Sequence, residues 1–187
     1  MLRKKYLIVA HPDDEALWFN PLEFDKIFIV FLEREDSPTI SEARKRVMEK
    51  HPLKNKITLF NFKESGFEHK KSFETEKAYR DIYDDLLKKI KGLVAKDVEF
   101  WTHNAWGEYG QTEHMMVHQA VMEVAERFSV SVYCLNGIDP IDDVKTISMD
   151  MDLDFYDGLK KLYIKEGCWT YDNNYVPPSR QFYFKVI

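Results

Sequence analysis

Short apolar runs with the length of β-strands alternate along this chain with longer segments that have helical periodicity. Strands are predicted at Lys5–Val9, Lys26–Leu32, Ile57–Phe62, Val98–Thr102 and Val130–Leu135, and helices at Ile40–Lys50, Glu74–Gly92, Glu113–Phe128 and Leu153–Glu166. In the second helix, apolar residues recur every four positions from Ala78 to Ile90, which is typical of a core-facing stripe. Alternating strands and helices form a largely parallel sheet with helices on both faces. The pattern therefore predicts the α/β class.

The length and composition limit the number of domains and the class of partner. At 187 residues, 44% of them hydrophobic, the chain is long enough for one domain with a substantial core and too short for two comfortable cores. We therefore expect residues 1–187 to form a single domain. The formal net charge of -5 gives no electrostatic reason to expect nucleic acid or an anionic membrane as a partner.

The features that bear on location favour the cytoplasm. The apolar run after Arg3-Lys4-Lys5 is shorter than the core of a signal peptide, and no segment approaches the ~18 apolar residues of a membrane span. Cys134 and Cys168 are far apart and lack metal-ligand spacing with each other, so reduced thiols are the simplest interpretation. We expect a cytoplasmic protein with no membrane span.

A first polar cluster, Ala10 to Glu15, follows directly on the apolar run Tyr6–Val9. Ligands in open α/β sheets gather beyond the carboxyl ends of the strands, so this position favours chemistry. His11 and Asp14 lie three residues apart, and one tight turn brings both to a common point, which leaves Asp13 for another role. The alternative is a solvated acidic turn in which an aspartate caps the next helix.

A second polar cluster, Trp101 to His118, begins at the end of the fourth predicted strand. Its later part has helical spacing and places His114 and His118 one turn apart, where two imidazoles can bind one metal ion. His103 and Asn104 come at the strand end, where we expect them to line a pocket and bind substrate. Turn residues are also common at strand ends for backbone reasons alone.

Together the two clusters resemble the PIG-L/LmbE-like family of zinc-dependent N-deacetylases. The first motif of that family, Ala-His-Pro-Asp-Asp-Glu, matches letter for letter at residues 10–15. Its second motif, a His preceded by a turn and followed by Val-His in a helix, is similar to residues 107–118. The order of strands and helices between the motifs also looks like that family. The resemblance implies a three-layer α/β/α Rossmann-like domain with a mostly parallel sheet.

The resemblance also implies roles for individual residues. His11, Asp14 and His114 would bind Zn²⁺, or another divalent metal such as Fe²⁺, and Asp13 would be the general base. Two imidazoles and one carboxylate leave a coordination position for water, as expected of a catalytic zinc site. Zinc lowers the pKa of its water from ~15.7 to about 7. The implied substrate is a small-molecule N-acetylated sugar or sugar conjugate, which loses its acetyl group, and Arg44 resembles a family position that contacts polar substrate groups.

One position departs from the family pattern. Many members carry a His in the place of Gln111, three residues before the metal-binding His, and that His is thought to stabilise the oxyanion or protonate the leaving amine. A glutamine amide donates a hydrogen bond but cannot deliver a proton. Either Asp13 carries the proton both ways while Tyr109 and Gln111 hold the oxyanion, or the enzyme is slow or altered in substrate.

The remaining candidates have supporting roles or stay open. Glu15 is expected to orient a ligand from behind the metal site, with a surface or helix-capping carboxylate as the alternative. His118 is expected to pack or to lie behind the metal ligands, with a role as fourth ligand as the alternative. The aromatic-rich segment from Trp169 to Phe184 is expected to pack as a lid or an edge strand, with a sugar-stacking or subunit surface as the alternative. The sequence leaves the exact substrate open, and also whether the protein is a homo-oligomer.

Three functional classes follow from these residues. The first is metal-dependent hydrolysis of an N-acetylated sugar or sugar conjugate. The second uses the same ligand types, two His and one carboxylate, to hold Fe(II) for oxygen chemistry. The third is a catalytically weak or inactive relative that binds a sugar without hydrolysing it, an option that Gln111 keeps open.

Overall fold

In the computed structural model, which describes residues 3–34, 36–67, 71–136 and 146–187, seven strands of the described chain form one sheet. The strands are β1 (Lys4–Val9), β2 (Lys26–Glu33), β3 (Ile57–Lys63), β4 (Val98–Thr102), β5 (Ser131–Leu135), β6 (Thr146–Asp150) and β7 (Arg180–Lys185). The helices are α1 (Asp14–Leu17), α2 (Pro38–Lys50), α3 (Phe73–Lys91), α4 (Gly107–Gly110), α5 (Thr112–Phe128) and α6 (Leu153–Glu166), with one 3₁₀ turn at Pro21–Glu23.

The direction in which the chain adds strands to the sheet reverses between β1 and β4. Across the sheet the order is β3-β2-β1-β4-β5-β7-β6, and β1 to β5 pair in parallel. β7 pairs antiparallel with both β5 and β6. The chain adds β2 and β3 on one side of β1 and then returns to add β4 and β5 on the other. The carboxyl ends of β1 and β4 therefore frame the crevice in which open α/β sheets bind ligands.

The central strands are almost continuously apolar because helices cover both of their faces. Adjacent residues of β1 point to opposite faces, so Leu7 packs with residues of α1, α2 and α6, while Ile8 packs with residues of α3 and α5. Leu86 and Ile90, in the predicted apolar stripe of α3, are fully buried. These contacts hold the β1–β4 crevice between two helical layers.

The prediction of a three-layer α/β/α domain with a mostly parallel sheet is confirmed. All five predicted strands and all four predicted helices are present, with ends within two residues of the predicted ones. Sequence reasoning missed β6 and left β7 as an aromatic tail with an edge strand as one option. The prediction of an edge strand was wrong, because β7 lies inside the sheet between β5 and β6. No helix in the described ranges is long and apolar enough to cross a bilayer.

The segment after α6 folds back over the carboxyl end of the sheet. Asp152 caps the start of α6 by accepting a hydrogen bond from the Phe155 backbone N–H, and Gly167 caps its end. Gly167 has a φ of 86°, a left-handed conformation that glycine adopts without strain. The turn directs the following residues back toward β1, so that Thr170 reaches Asp13.

Candidate metal centre and active site

Three side chains from two distant parts of the sequence meet at the crevice between β1 and β4. His11 follows β1, Asp14 begins α1, and His114 lies in the first turn of α5. His11 Nδ1 is 3.3 Å from His114 Nε2 and 3.5 Å from Asp14 Oδ2, and His114 Nε2 is 3.3 Å from the same oxygen. All three residues are buried. The structure thus brings together the three predicted metal ligands, with donor atoms close enough to share one ion.

The chemistry of these donors fits a divalent cation. Glu108 Oε2 accepts a hydrogen bond from His114 Nδ1 at 2.6 Å, so Nε2 is the nitrogen that faces His11 and Asp14. Burial disfavours a charged His114, but Asp14 and Glu108 outweigh it and raise the pKa of His114 to about 10, so a cation at this site would displace the proton on Nε2. Burial lowers the pKa of His11, which keeps that imidazole neutral. Two nitrogens and one carboxylate oxygen are a typical catalytic zinc set, and they also suit Fe(II).

Glu108 is central to this arrangement, and sequence reasoning missed it. Besides His114, its Oε2 accepts a hydrogen bond from His103 Nδ1 at 3.0 Å, and its Oε1 accepts one from the Asn104 backbone N–H at 3.1 Å. Burial opposes ionisation of Glu108, yet the two histidines lower its pKa to about 2. Its φ of 58° is left-handed, which is rare for a glutamate. A carboxylate in the turn between β4 and α5 was the available signal.

His103 lies beneath His114 and not in the pocket. The two rings stack with centroids 3.9 Å apart, and His103 is 0% exposed. The Ala10 backbone N–H donates to His103 Nε2 at 2.9 Å, so Nδ1 carries the proton that is donated to Glu108. Both ring nitrogens of His103 are therefore engaged next to His114, and a contact of His103 with substrate stays a prediction. His118 Nδ1 donates to the carbonyl of His103 at 2.9 Å, so His118 contacts the residue that stacks on His114.

Asp13, the predicted general base, lies in the loop that also carries His11 and Asp14. It is buried, and its φ of 95° is left-handed. Its Oδ2 accepts a hydrogen bond from the Thr170 hydroxyl at 3.3 Å. Burial, with the negative charges of Asp14 and Glu15, raises the pKa of Asp13 well above its ordinary value. A carboxyl group in such surroundings can hold and release a proton during a reaction.

Glu15 holds the backbone of Asp13 through a buried hydrogen-bond network. Its Oε2 accepts from the Asp13 N–H at 3.0 Å, and its Oε1 accepts from the Tyr163 hydroxyl at 2.6 Å. His51 Nδ1 accepts from the Leu53 N–H, so His51 Nε2 carries a proton and faces Glu15 Oε1 at 3.3 Å. Glu15 thus contacts Asp13, although sequence reasoning expected it to orient a metal ligand. Tyr163 and His51 were not predicted.

The two residues proposed for the oxyanion occupy different positions. Gln111 Oε1 accepts from the His114 backbone N–H at 2.8 Å, which caps α5, and its Nε2 donates to Glu113 Oε2 at 3.0 Å. Both ends of the Gln111 amide are therefore engaged at the start of α5. Tyr109 is 61% exposed, with its ring centroid 5.7 Å from that of His114. Of the two residues, Tyr109 is the more accessible, and it lies beside His114.

Arg44 is buried on the Nε2 side of His11, whereas His114 lies on the Nδ1 side. Its Nη1 donates to Glu64 Oε1 at 2.7 Å, and the same oxygen lies 3.4 Å from His11 Nε2. Arg34 Nε is 3.6 Å from the other Glu64 oxygen. Glu64, which follows β3, is a second carboxylate that sequence reasoning missed. This geometry pairs Arg44 with Glu64, and a direct contact of Arg44 with substrate stays a prediction.

A cleft of about 520 Å³ lies beside Glu108, the residue that binds His114 Nδ1. Neither the three candidate metal ligands nor Asp13 is among the described residues that line it. Asn104 and Glu108 line the end next to His114, and aromatic residues line much of the rest, among them Trp18, Tyr109, Tyr171 and Tyr175. The ring centroids of Trp18 and Tyr171 are 5.3 Å apart, and those of Tyr171 and Tyr175 are 4.9 Å apart. The size is that of a site for a small organic ligand.

Comparisons with known proteins give a structural likeness and no sequence match. No family model matches the chain, and no curated protein matches it. The zinc-inhibited form of teicoplanin deacetylase Orf2 superposes with a TM-score of 0.68 at 11% identity, over 98% of both chains. The A40926 pseudoaglycone deacetylase Dbv21 gives 0.65 at 11% identity, over 100% of this chain and 98% of that one.

A further solved structure, a deacetylase in complex with teicoplanin, gives a TM-score of 0.58 at 10% identity over 97% of each chain. At these identities the likeness shows a shared fold. The fold that the sequence motifs implied is therefore found in solved deacetylases.

Proposed function

We propose that the protein is a metal-dependent hydrolase that removes the acetyl group from an N-acetylated sugar or sugar conjugate. The observation that carries the proposal is the meeting of His11 Nδ1, Asp14 Oδ2 and His114 Nε2 beside an aromatic cleft, with the buried Asp13 in the same loop. Fold alone does not determine a reaction, so the site carries the argument. The deacetylases that share the fold support the choice of amide hydrolysis.

In this proposal His11, Asp14 and His114 hold the divalent cation. When bound, the cation acidifies water and polarises the acetamide carbonyl. Asp13 accepts the proton of the water that attacks the carbonyl carbon, and it returns a proton to the nitrogen as the C–N bond breaks. Acetate and a free amine are the products. Glu15 keeps Asp13 in place through the Asp13 N–H.

The same geometry suggests how the reaction proceeds with a glutamine at position 111. Because the Gln111 amide is engaged with His114 and Glu113, we assign both proton transfers to Asp13 alone. The oxyanion contact is assigned to Tyr109, whose ring lies beside that of His114 at the mouth of the cleft. Gln111 then acts as the cap of α5 that holds His114.

The test is release of acetate by metal-depleted protein reloaded with Zn²⁺ or Fe²⁺, measured with and without oxygen, on a panel of N-acetylated glycosides. We expect zinc-dependent release. The variant Asp13→Asn should keep bound zinc and lose about 10²- to 10⁴-fold in turnover, whereas Asp14→Asn should lose the metal. Turnover that needs both iron and oxygen would favour the Fe(II) alternative. Bound zinc without acetate release on the whole panel would favour a sugar-binding protein, and either result refutes the hydrolase.

A further inference from the structure

A buried amide in the wall of the aromatic cleft has no hydrogen-bond partner among the described residues. Asn136 directly follows β5 and is 3% exposed. Neither its Oδ1 nor its Nδ2 has a hydrogen-bond partner within the described residues. Buried side-chain polar groups in native proteins are nearly always paired, so an amide with two unpaired ends indicates that something else supplies the partners. Asn136 lines the cleft, where a ligand could do so.

Two further donors of the same cleft are unpaired. Asn104 Oδ1 accepts from the backbone N–H groups of Trp106 and Glu108, at 3.2 and 2.9 Å, which fixes the amide and leaves its Nδ2 without a partner among the described residues. Trp18 Nε1 is also buried and unpaired within the described part of the chain. Both residues line the cleft. With Asn136, the wall holds three donors and one acceptor that find no partner in the described ranges.

The charges of the cleft argue against an anionic ligand. Among the described residues that line it, Arg180 is the only lysine or arginine, and its Nε already donates to Asp150 Oδ1 at 2.7 Å. The other charged residue of the lining is Glu108, a carboxylate. A phosphate in the cleft would therefore meet an acidic group and an arginine that is paired elsewhere. Phosphate recognition normally uses arginine, lysine or clustered backbone N–H groups.

We propose that this cleft binds the sugar ring of a neutral glycoside, and that Asn136 determines specificity by hydrogen bonding to its hydroxyl groups. A primary amide offers donors and an acceptor together, which matches a pair of hydroxyls. The faces of Trp18, Tyr171 and Tyr175 suit the apolar face of a pyranose or an apolar aglycone. The inference rests on the proposed N-deacetylase function and narrows its substrates to glycosides without a phosphate or nucleotide group.

The experiment compares two probes on the zinc-loaded protein. One is p-nitrophenyl N-acetyl-β-D-glucosaminide, which is neutral, and the other is N-acetylglucosamine 1-phosphate. Binding is measured by calorimetry and turnover by acetate release. We expect the neutral glycoside to bind at least about tenfold more tightly, and Asn136→Ala to raise its Kd and KM about tenfold or more. Asn55→Ala is the matched control, because Asn55 is exposed in the turn before β3.

A stability measurement separates recognition from a structural role. Because the Asn136 amide has no hydrogen bond to any residue that the structure describes, Asn136→Ala should keep the Tm and zinc affinity of the parent. A large loss of Tm together with the loss of binding would indicate a structural role and overturn the assignment of Asn136. Tighter binding of the sugar phosphate than of the neutral glycoside would overturn the assignment of the cleft.

The outcomes also distinguish this inference from the proposed function. Zinc-dependent acetate release with the same KM and Kd in the parent and in Asn136→Ala would refute the role of Asn136 and leave the N-deacetylase intact. Binding of the glycoside that depends on Asn136, without acetate release, would support the cleft and refute the reaction.

Discussion

Replacement of Glu108 by glutamine is expected to weaken zinc binding about 10- to 100-fold and to leave the fold intact. In the native site one carboxylate oxygen accepts hydrogen bonds from His103 Nδ1 and His114 Nδ1, at 3.0 and 2.6 Å. The other oxygen accepts from the Asn104 backbone N–H at 3.1 Å. All three neighbours are donors. A glutamine side chain has one oxygen and one NH₂ group, so either orientation of its amide sets an N–H group against a donor.

The magnitude follows from the hydrogen bonds that are lost. A hydrogen bond to a charged group contributes about 1.5–3 kcal/mol. A loss of about 10- to 100-fold in metal affinity corresponds to about 1.4–2.7 kcal/mol. The two ranges overlap, as expected if Glu108 acts on the metal through one strong hydrogen bond to His114. Without it, the tautomer of His114 with its proton on Nδ1 is no longer favoured, and the Nε2 lone pair is less well directed at the metal.

The assay is competition for Zn²⁺ against a chromophoric chelator at neutral pH, with circular dichroism to check the fold. Glu126→Gln is the control, because Glu126 is an exposed carboxylate on the same helix, α5. If Glu108→Gln binds zinc as tightly as the parent, then Glu108 does not orient His114 and the reasoning is refuted. Equal losses in both variants would attribute the effect to overall charge.

Three further predictions concern neighbouring parts of the site. Tyr163→Phe removes the hydroxyl that donates to Glu15 and should lower the free energy of unfolding by about 1–3 kcal/mol in urea denaturation, and an unchanged value would contradict that bond. Gln111→Ala should lower the free energy of unfolding by about 0.5–2 kcal/mol in the same assay, because it removes the cap of α5. If its turnover and that of Gln111→His both match the parent, position 111 has no catalytic role. Zn²⁺ should raise the Tm of the parent and not of Asp14→Asn, since a ligand stabilises only the state that binds it. Equal shifts would remove Asp14 from the ligand set.

Most of the sheet was predictable because each strand and helix carries its own periodicity. The continuous apolar runs of β1 and β2 and the four-residue stripe of α3 are local patterns that reflect burial on two faces or one. β6 and β7 were not predicted with their place in the sheet. Most residues of both strands are exposed or only partly buried, and their pairing depends on a partner strand far away in the sequence.

The sequence by itself determined the fold class and one candidate metal cluster, because His11, Asp13 and Asp14 stand together after a strand and His114 has helical spacing. The tertiary structure alone decided which groups surround that cluster. Glu64 and Asn136 directly follow β3 and β5, and Glu108 lies in the turn between β4 and α5, each among residues with no pattern of their own. Their roles arise because parallel strands end at one edge of the sheet, where side chains remote in sequence become neighbours. Such contacts leave no periodic signal in the chain, so only the folded geometry reveals them.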